Sequence, residues 1–294
     1  MTINIPTSNS INGDKLAEDI YDAYGNIILE KDTVLNCKLK RYLVDLGIIS
    51  INIYNPLTNF DNYEKVHKTI IQEVESTLTC ILYKNDHIYD EITEYVSKMC
   101  KSISDNPIII KALDRIKKID NYTFKHSINT SLYSMLIAIW MNQSNKEVIN
   151  ATQAGILHDI GKIYIPHEIL NKETKLTSEE YEEIKKHTLY GYFLLSNFSE
   201  FNQEVKKAVL FHHERIDSLG YPLRAKPDYV GITSKIVAVA DVYDAMTTDR
   251  VYKMSISSSE AVNYLSSDGM EILDNNIIKV FKKNILKYDF KASI

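Results

Sequence analysis

Five of the chain's eight histidines and two of its aspartates are spread over five separate stretches of helical sequence. His126 lies in "NYTFKHSINTSLYS", His158 and Asp159 close "ATQAGILHDIGK", and His187 lies in "EEIKKHTLYGYF". His212 and His213 close "VKKAVLFHH", and Asp241 sits in "VAVADVYDAM". Helical bundles build interior metal sites from ligands contributed one or two per helix. If these residues act together, the five helices must face one another, and that requirement constrains the fold more than any single motif. Neighbouring residues on a helix point about 100° apart. One histidine of the doublet can therefore reach one metal and its neighbour a second, with a carboxylate such as Asp159 bridging both.

Each piece also has a simpler reading. His126 among apolar neighbours fits a hydrogen-bonded core histidine. The doublet alone fits protonated imidazoles at the negative end of a helix dipole. Asp241 is harder to explain that way, because Val237, Ala238, Val239, Ala240 and Val242 surround it and a carboxylate in an apolar helix needs a cation or a donor.

The rest of the chain reads as a small mixed module followed by helices. "GNIILEKDTVL" and "GIISINIYN" alternate with period two around an amphipathic segment from Lys38 to Leu46, which predicts strand, helix, strand within residues 1–60. Residues 61–105 carry helical spacing and are expected to form a connector or dimerisation surface, and residues 106–294 a helical domain. Thr177 with Glu180, and Ser257 with Glu260, are capping-box pairs. The first opens a segment expected to run as one helix to about Ser196. Thr233 or Ser234 is expected to cap the helix through Asp241, and Gly161 to end its helix in the left-handed region.

Composition narrows the function classes. With 34 Lys and Arg against 39 Asp and Glu, the net charge is -5, so no bulk basic field exists to hold a nucleic-acid polymer. Hydrophobic content of 45% and charged content of 25% predict folding throughout. No basic and then apolar leader opens the chain, and the longest apolar run, Leu132 to Met141, is about half the ~20 residues a membrane span needs. A cytoplasmic protein with no membrane span is expected. Cys37, Cys80 and Cys100 have no CxxC spacing and are expected as reduced thiols.

Read in order, "HDIGK" (His158 to Lys162), "HHERIDSLGYP" (His212 to Pro222) and "VADVYDAMTTDRVYK" (Val239 to Lys253) resemble the HD-GYP domain, a branch of the HD metal-dependent phosphohydrolases, from about Asn106 to Asp289. The resemblance implies a mainly α protein: an HD-type helical bundle behind a small α+β N-terminal module. It also implies a two- or three-metal centre, usually iron or manganese, that hydrolyses cyclic di-GMP to pGpG or GMP through a bridging hydroxide. Carried over residue by residue, it makes His126, His158, Asp159, His187, His212, His213 and Asp241 the metal ligands, with Asp159 and Lys162 catalytic. Lys162, Tyr221, Arg250 and Lys253 become the substrate contacts. Members with a third metal use a glutamate one turn before the first histidine; Tyr122 stands there, so two divalent ions are expected. Ser218 replaces a glycine common in the family, at a cost of about 1 kcal/mol if the position has positive φ. Other readings are another cyclic dinucleotide such as cyclic GMP-AMP as substrate, or an inactive binding module. A homodimer through the N-terminal or connector helices is a possible assembly.

Overall fold

The computed structural model describes residues 2–7, 14–22, 24–54, 67–69, 72–73, 76, 89–104, 106–172, 174–248 and 254–286. The N-terminal module holds two antiparallel strand pairs, β1 (Thr2–Pro6) with β4 (Ser50–Tyr54) and β2 (Ile20–Tyr21) with β3 (Ile27–Leu29). Between β3 and β4 lies α1 (Cys37–Asp45), capped by Asn36, whose side chain accepts from the Lys38 and Leu39 N–H groups. Alternation along β4 turns Ile51 and Ile53 inward, where they join Leu16, Leu35 and Leu43 in a small core of their own. The strand, helix, strand order read from Gly25 to Asn55 is present. β1 was not read, because what makes it a strand is a pairing of Ile3 with Ile53 far along the chain.

The remainder is a helical bundle with one continuous core. Helices α2 (Tyr89–Ser104) and α3 (Pro107–Ile119) lead into α4 (Asn121–Trp140) and α5 (Asn145–Leu157). A 3-10 turn (Ile160–Tyr164), the short α6 (His167–Leu170), α7 (Ser178–Lys185), α8 (His187–Ser196) and α9 (Gln203–Phe211) follow. Then come α10 (Ile232–Thr247), α11 (Ser258–Leu265) and α12 (Asn275–Ile285). α4 packs closely against α5 and α10, and α4 and α10 are buried over most of their surface. Helices apolar on all sides belong in a bundle centre, which is where polar side chains on them must find one another. Of the region read as a connector, α2 packs Tyr95, Val96, Met99 and Cys100 into this same core, and most of residues 61–88 lie outside the described residues. Cys100 is a buried free thiol; the Cys37 side chain and Cys80 lie outside the described residues. Asp14 of the N-terminal module faces Arg115 of α3 at 3.6 Å, both largely buried. Among the described residues no helix is long and apolar enough to cross a membrane.

Side-chain capping fixes most helix starts. Ser144 with Glu147, Thr177 with Glu180, and Ser257 with Glu260 all form complete capping boxes, each satisfying orphan N–H groups of a first turn. Two local expectations need correction. α10 starts two or three residues earlier than expected, with Gly231 as N-cap and Thr233 and Ser234 buried inside its first turn. The segment from Thr177 is two helices, broken at Lys186. The reason for that break lies in the site.

Candidate metal centre and its two clefts

His158, His187 and His212 share one local design. Each stands just past the end of a helix: His158 after α5, His187 after α7 and its cap Lys186, His212 after α9. Each places Nδ1 against the carbonyl three residues back, Gly155 at 2.7 Å, Ile184 at 2.7 Å and Val209 at 2.9 Å. A carbonyl only accepts, so Nδ1 carries the proton in all three. The helix gains a partner for an orphan terminal carbonyl, and the ring is left with an unprotonated Nε2, the tautomer that binds metal. This explains the break at Lys186, where the His187 side chain finishes α7 and its backbone begins α8.

Those Nε2 atoms converge. His187 Nε2 lies 3.3 Å from His212 Nε2, two lone pairs facing each other. His187 Nε2 is 3.3 Å from Asp159 Oδ1, and His158 Nε2 is 3.3 Å from Asp159 Oδ2. His126 reaches the same space from α4, with Nε2 2.9 Å from Asp241 Oδ1 and 4.0 Å from Asp159 Oδ2. His213 sits with Nδ1 3.9 Å from Asp241 Oδ2. Two sets of three, His187 with His212 and His213, and His126 with His158 and Asp159, each bring their ligand atoms within 4.8 Å of one another. All seven residues predicted as ligands are therefore in one place, and six of them are buried.

Two buried atoms here, His158 Nε2 and Asp159 Oδ1, make no hydrogen bond with any described residue. Buried polar groups are nearly always paired, and two such orphans beside facing lone pairs fit a cation. Nitrogen and oxygen donors without a thiolate fit a divalent first-row metal.

The electrostatics agree. Burial pushes the Asp159 carboxyl up, but Lys162, whose Nζ is 2.6 Å away, and His158 hold it well below the usual carboxylate range. Burial holds His187 down at about 3 and His213 at about 4, and drives His212 well below its ordinary value. Neutral imidazoles and an ionised carboxylate are what a metal requires. His126 differs. Burial disfavours its charge, but hydrogen bonds to Asp241 and Asp244 raise it to about 10.

Asp244 was not anticipated. It is buried, 2.6 Å from His126 Nδ1, and orients that ring as the backbone carbonyls orient the other three. The signal was present: Asp244 follows Asp241 by three residues on one helix, so both point to the same face.

The loop after His213 closes one side. Glu214, buried, accepts from the Leu223 N–H at 2.7 Å and the Ala225 N–H at 2.9 Å. Ser218 has φ 59° and Arg224 has φ 51°, so serine does occupy a left-handed position as its replacement of glycine suggested. Gly220 is fixed by contact, since a Cβ there would lie 2.5 Å from the His213 carbonyl oxygen. Gly161 is likewise a close-approach glycine: a Cβ would lie 2.0 Å from the His187 carbonyl oxygen and 2.5 Å from the Gly191 nitrogen. It sits in a 3-10 turn and is not among the residues with positive φ, which corrects the expected left-handed helix end. Tyr221 stacks on His213, ring centroids 4.6 Å apart. Arg250 and Lys253 lie outside the described residues.

Two clefts meet at the cluster, of about 940 and about 660 Å³, and share Tyr181, His213, Tyr221 and Asp241 as common wall. The larger one also reaches Lys162 and Tyr122.

Comparison with known proteins places these features. The HD domain family matches residues 103–277. A Pseudomonas aeruginosa protein named a cyclic di-GMP phosphodiesterase is 32% identical over 69% of this chain and 49% of its own length. A Vibrio cholerae protein named a 3'3'-cGAMP-specific phosphodiesterase is 30% identical over 55% of this chain and 35% of its own. The solved structure of an HDG"Y"P protein from Bdellovibrio bacteriovorus is 17% identical, covers 98% of this chain and 100% of its own, and gives a TM-score of 0.49. The chain spans about half the length of the curated relatives it matches. With the matched region holding every helix that contributes to the histidine and aspartate cluster, this chain belongs to the HD domain family.

Proposed function

We propose that the protein is a phosphodiesterase that hydrolyses cyclic di-GMP at a two-metal centre held by His126, His158, Asp159, His187, His212, His213 and Asp241. The observation that carries this is the convergence of three tautomer-locked imidazoles on an ionised, buried Asp159, beside atoms that have no other partner. Divalent ions bound there supply Lewis-acid charge stabilisation and activation of water near neutral pH. Iron(II) or manganese(II) suits the mixed imidazole and carboxylate set.

The chain's own residues do the rest. Lys162 keeps Asp159 ionised and places an ammonium beside the scissile phosphate, where it offsets charge on the phosphoryl oxygens. Tyr221, its hydroxyl held protonated by burial, offers a ring face and a donor toward the substrate. Asp244 fixes the His126 ring, and Glu214 fixes the loop that carries Tyr221. Arg250 and Lys253 complete the contacts to phosphate and base. In the reaction water adds to phosphorus, the P–O3′ bond breaks and the 3′ oxygen takes a proton, leaving linear pGpG with its 5′ phosphate. A second cycle yields GMP. We place this activity in the cytoplasm.

Cyclic GMP-AMP is the second reading, favoured by the relative named for that substrate. The test is hydrolysis of both nucleotides by anaerobically purified protein loaded with iron(II) or manganese(II), with metal analysis. Turnover of cyclic di-GMP at two metals per chain is expected, and Asp159→Ala should lower it by about a thousandfold, ~4 kcal/mol, with the helical circular dichroism retained. A filled centre that cuts neither nucleotide would overturn the reading.

A further inference from the structure

The smaller cleft has a set of side chains that the metal chemistry does not use. One wall of it is a ladder of alternating rings and charge running outward from the cluster. His213 stacks on Tyr221, Lys185 Nζ lies 5.6 Å from the centre of the Tyr221 ring, and the same ammonium lies 4.6 Å from the Tyr181 ring. The outer ring, Tyr181, is 48% exposed.

Four cations line this cleft, and two are already engaged. Lys186 is held by Glu183 at 2.6 Å, and Arg215 by the Asp217 carboxylate. Among the described residues Lys185 is ion-paired with Glu182 alone, a carboxylate 66% exposed to solvent, and exposed ion pairs of that kind are weak and exchange readily with other partners. Arg224 makes no hydrogen bond or ion pair with any described residue. It is also built into place. Its backbone is left-handed, φ 51°, which a non-glycine residue adopts at a cost. The N–H groups on either side of it, Leu223 and Ala225, are both clamped by buried Glu214. Such strain is retained where the surrounding structure enforces it, and it clusters at ligand sites.

A cyclic dinucleotide carries two phosphodiesters and two bases, and only one phosphate is cut at a time. Resting on the reading above, we propose that the 660 Å³ cleft receives the half of the substrate that is not being cut. Lys185 and Arg224 flank its second phosphodiester and Tyr181 stacks its base. Guanidinium forks and ammonium point charges are suited to a phosphate monoanion, and an exposed tyrosine ring accepts any base face. The two clefts then divide one substrate across the metal centre, the scissile half in the larger and the retained half in the smaller.

The test compares Lys185→Gln, Arg224→Gln and the double variant with wild type. Three readouts are taken on manganese-loaded protein: equilibrium binding of cyclic di-GMP, its hydrolysis, and hydrolysis of bis(p-nitrophenyl) phosphate, a diester with no second phosphate. Each single substitution is expected to lower cyclic di-GMP affinity about tenfold, the scale of one charge-assisted hydrogen bond. It should lower kcat/KM for cyclic di-GMP about tenfold more than for the small diester. An equal loss on both substrates, or unchanged affinity for cyclic di-GMP in the double variant, would overturn the proposal. If wild type binds cyclic di-GMP without cutting it, the phosphodiesterase reading fails while the affinity differences still decide the cleft. If wild type neither binds nor cuts it, both fail together.

Discussion

The histidine cluster and the loop from His213 to Ala225 are adjacent, yet they are held by opposite means. In the cluster, position comes from close packing: helix ends abut, Gly161 lets the His187 backbone approach it directly, and ring orientation follows from terminal carbonyls. In the loop, position comes chiefly from one buried carboxylate pulling in two N–H groups and from two residues forced left-handed, Ser218 and Arg224, with Gly220 its one close backbone contact. The lesson is that the side chains proposed as ligands are set by the packed scaffold, whereas the loop beside them is set mainly by a local clamp. Damage to the cluster should therefore cost stability and metal together. Damage to the loop away from His213, Glu214 and Gly220 should cost little of either.

The sharpest way to break this contrast is Gly161→Ala. Because the new methyl would meet backbone atoms rather than a flexible side chain, overpacking of about 3 kcal/mol is expected, lowering Tm by roughly 6–10 °C with metal content falling alongside. Thermal melts and metal analysis check it; an unchanged Tm would mean the 3-10 turn and α8 are not rigidly apposed.

Asp244→Asn comes next. The amide keeps the shape but removes the charge that holds His126 Nδ1–H, so metal affinity should fall by about 10- to 100-fold while Tm in excess metal stays near wild type. Competition against a chelator reads it directly, and equal affinities would show that packing alone orients His126.

Acidification gives a smaller, graded effect. In metal-free protein His187 and His213 stay neutral down to about 3 and about 4, while in the unfolded chain they take protons near 6.5. The unfolded state thus binds more protons between pH 6.5 and 4, and stability must fall as pH falls through that window. His126, raised to about 10, is charged in both states there and adds no slope. Its contribution is fully present below 6.5 and is lost only as pH rises toward 10. Urea midpoints in chelator at pH 7 and pH 5 should differ in that sense, and a higher midpoint at pH 5 would contradict the buried neutral imidazoles.

Ser218→Gly should do least and in the other direction. Relieving φ 59° gains about 1 kcal/mol, a Tm rise of roughly 2–3 °C with metal content unchanged. A loss of stability would mean that the serine side chain holds the loop.

Much of the site was legible because its chemistry violates local expectation. A carboxylate such as Asp241 amid valines and alanines, with five histidines on four other helical stretches, needs a common explanation. Asp244 is masked in the sequence by the polar run Thr247, Thr248 and Asp249 just beyond it, although its spacing from Asp241 places it on the same face. A glycine after a helical run most commonly ends it in the left-handed region, which is what the sequence predicts for Gly161. Its true constraint, a carbonyl oxygen 26 residues along the chain, has no local signature. The helix break at Lys186 is similar: the periodicity runs through it, and α7 closes on the Lys186 N–H, the His187 ring turning back to Ile184 and the Thr188 hydroxyl. Nor could spacing reveal the two clefts or the pairing of β1 with β4, which depend on how distant segments lie against one another.

The three helix-end histidines also bear on mutational drift. Because His158, His187 and His212 are oriented by main-chain oxygens, no neighbouring side chain has to be kept for their sake, and the residues at positions 155, 184 and 209 are free to vary as far as their carbonyls are concerned. His126 alone requires a second side chain, Asp244. Of the four rings, it is the one whose hold on the proposed metal can be weakened by a substitution elsewhere in the gene, at position 244, with every proposed ligand left in place.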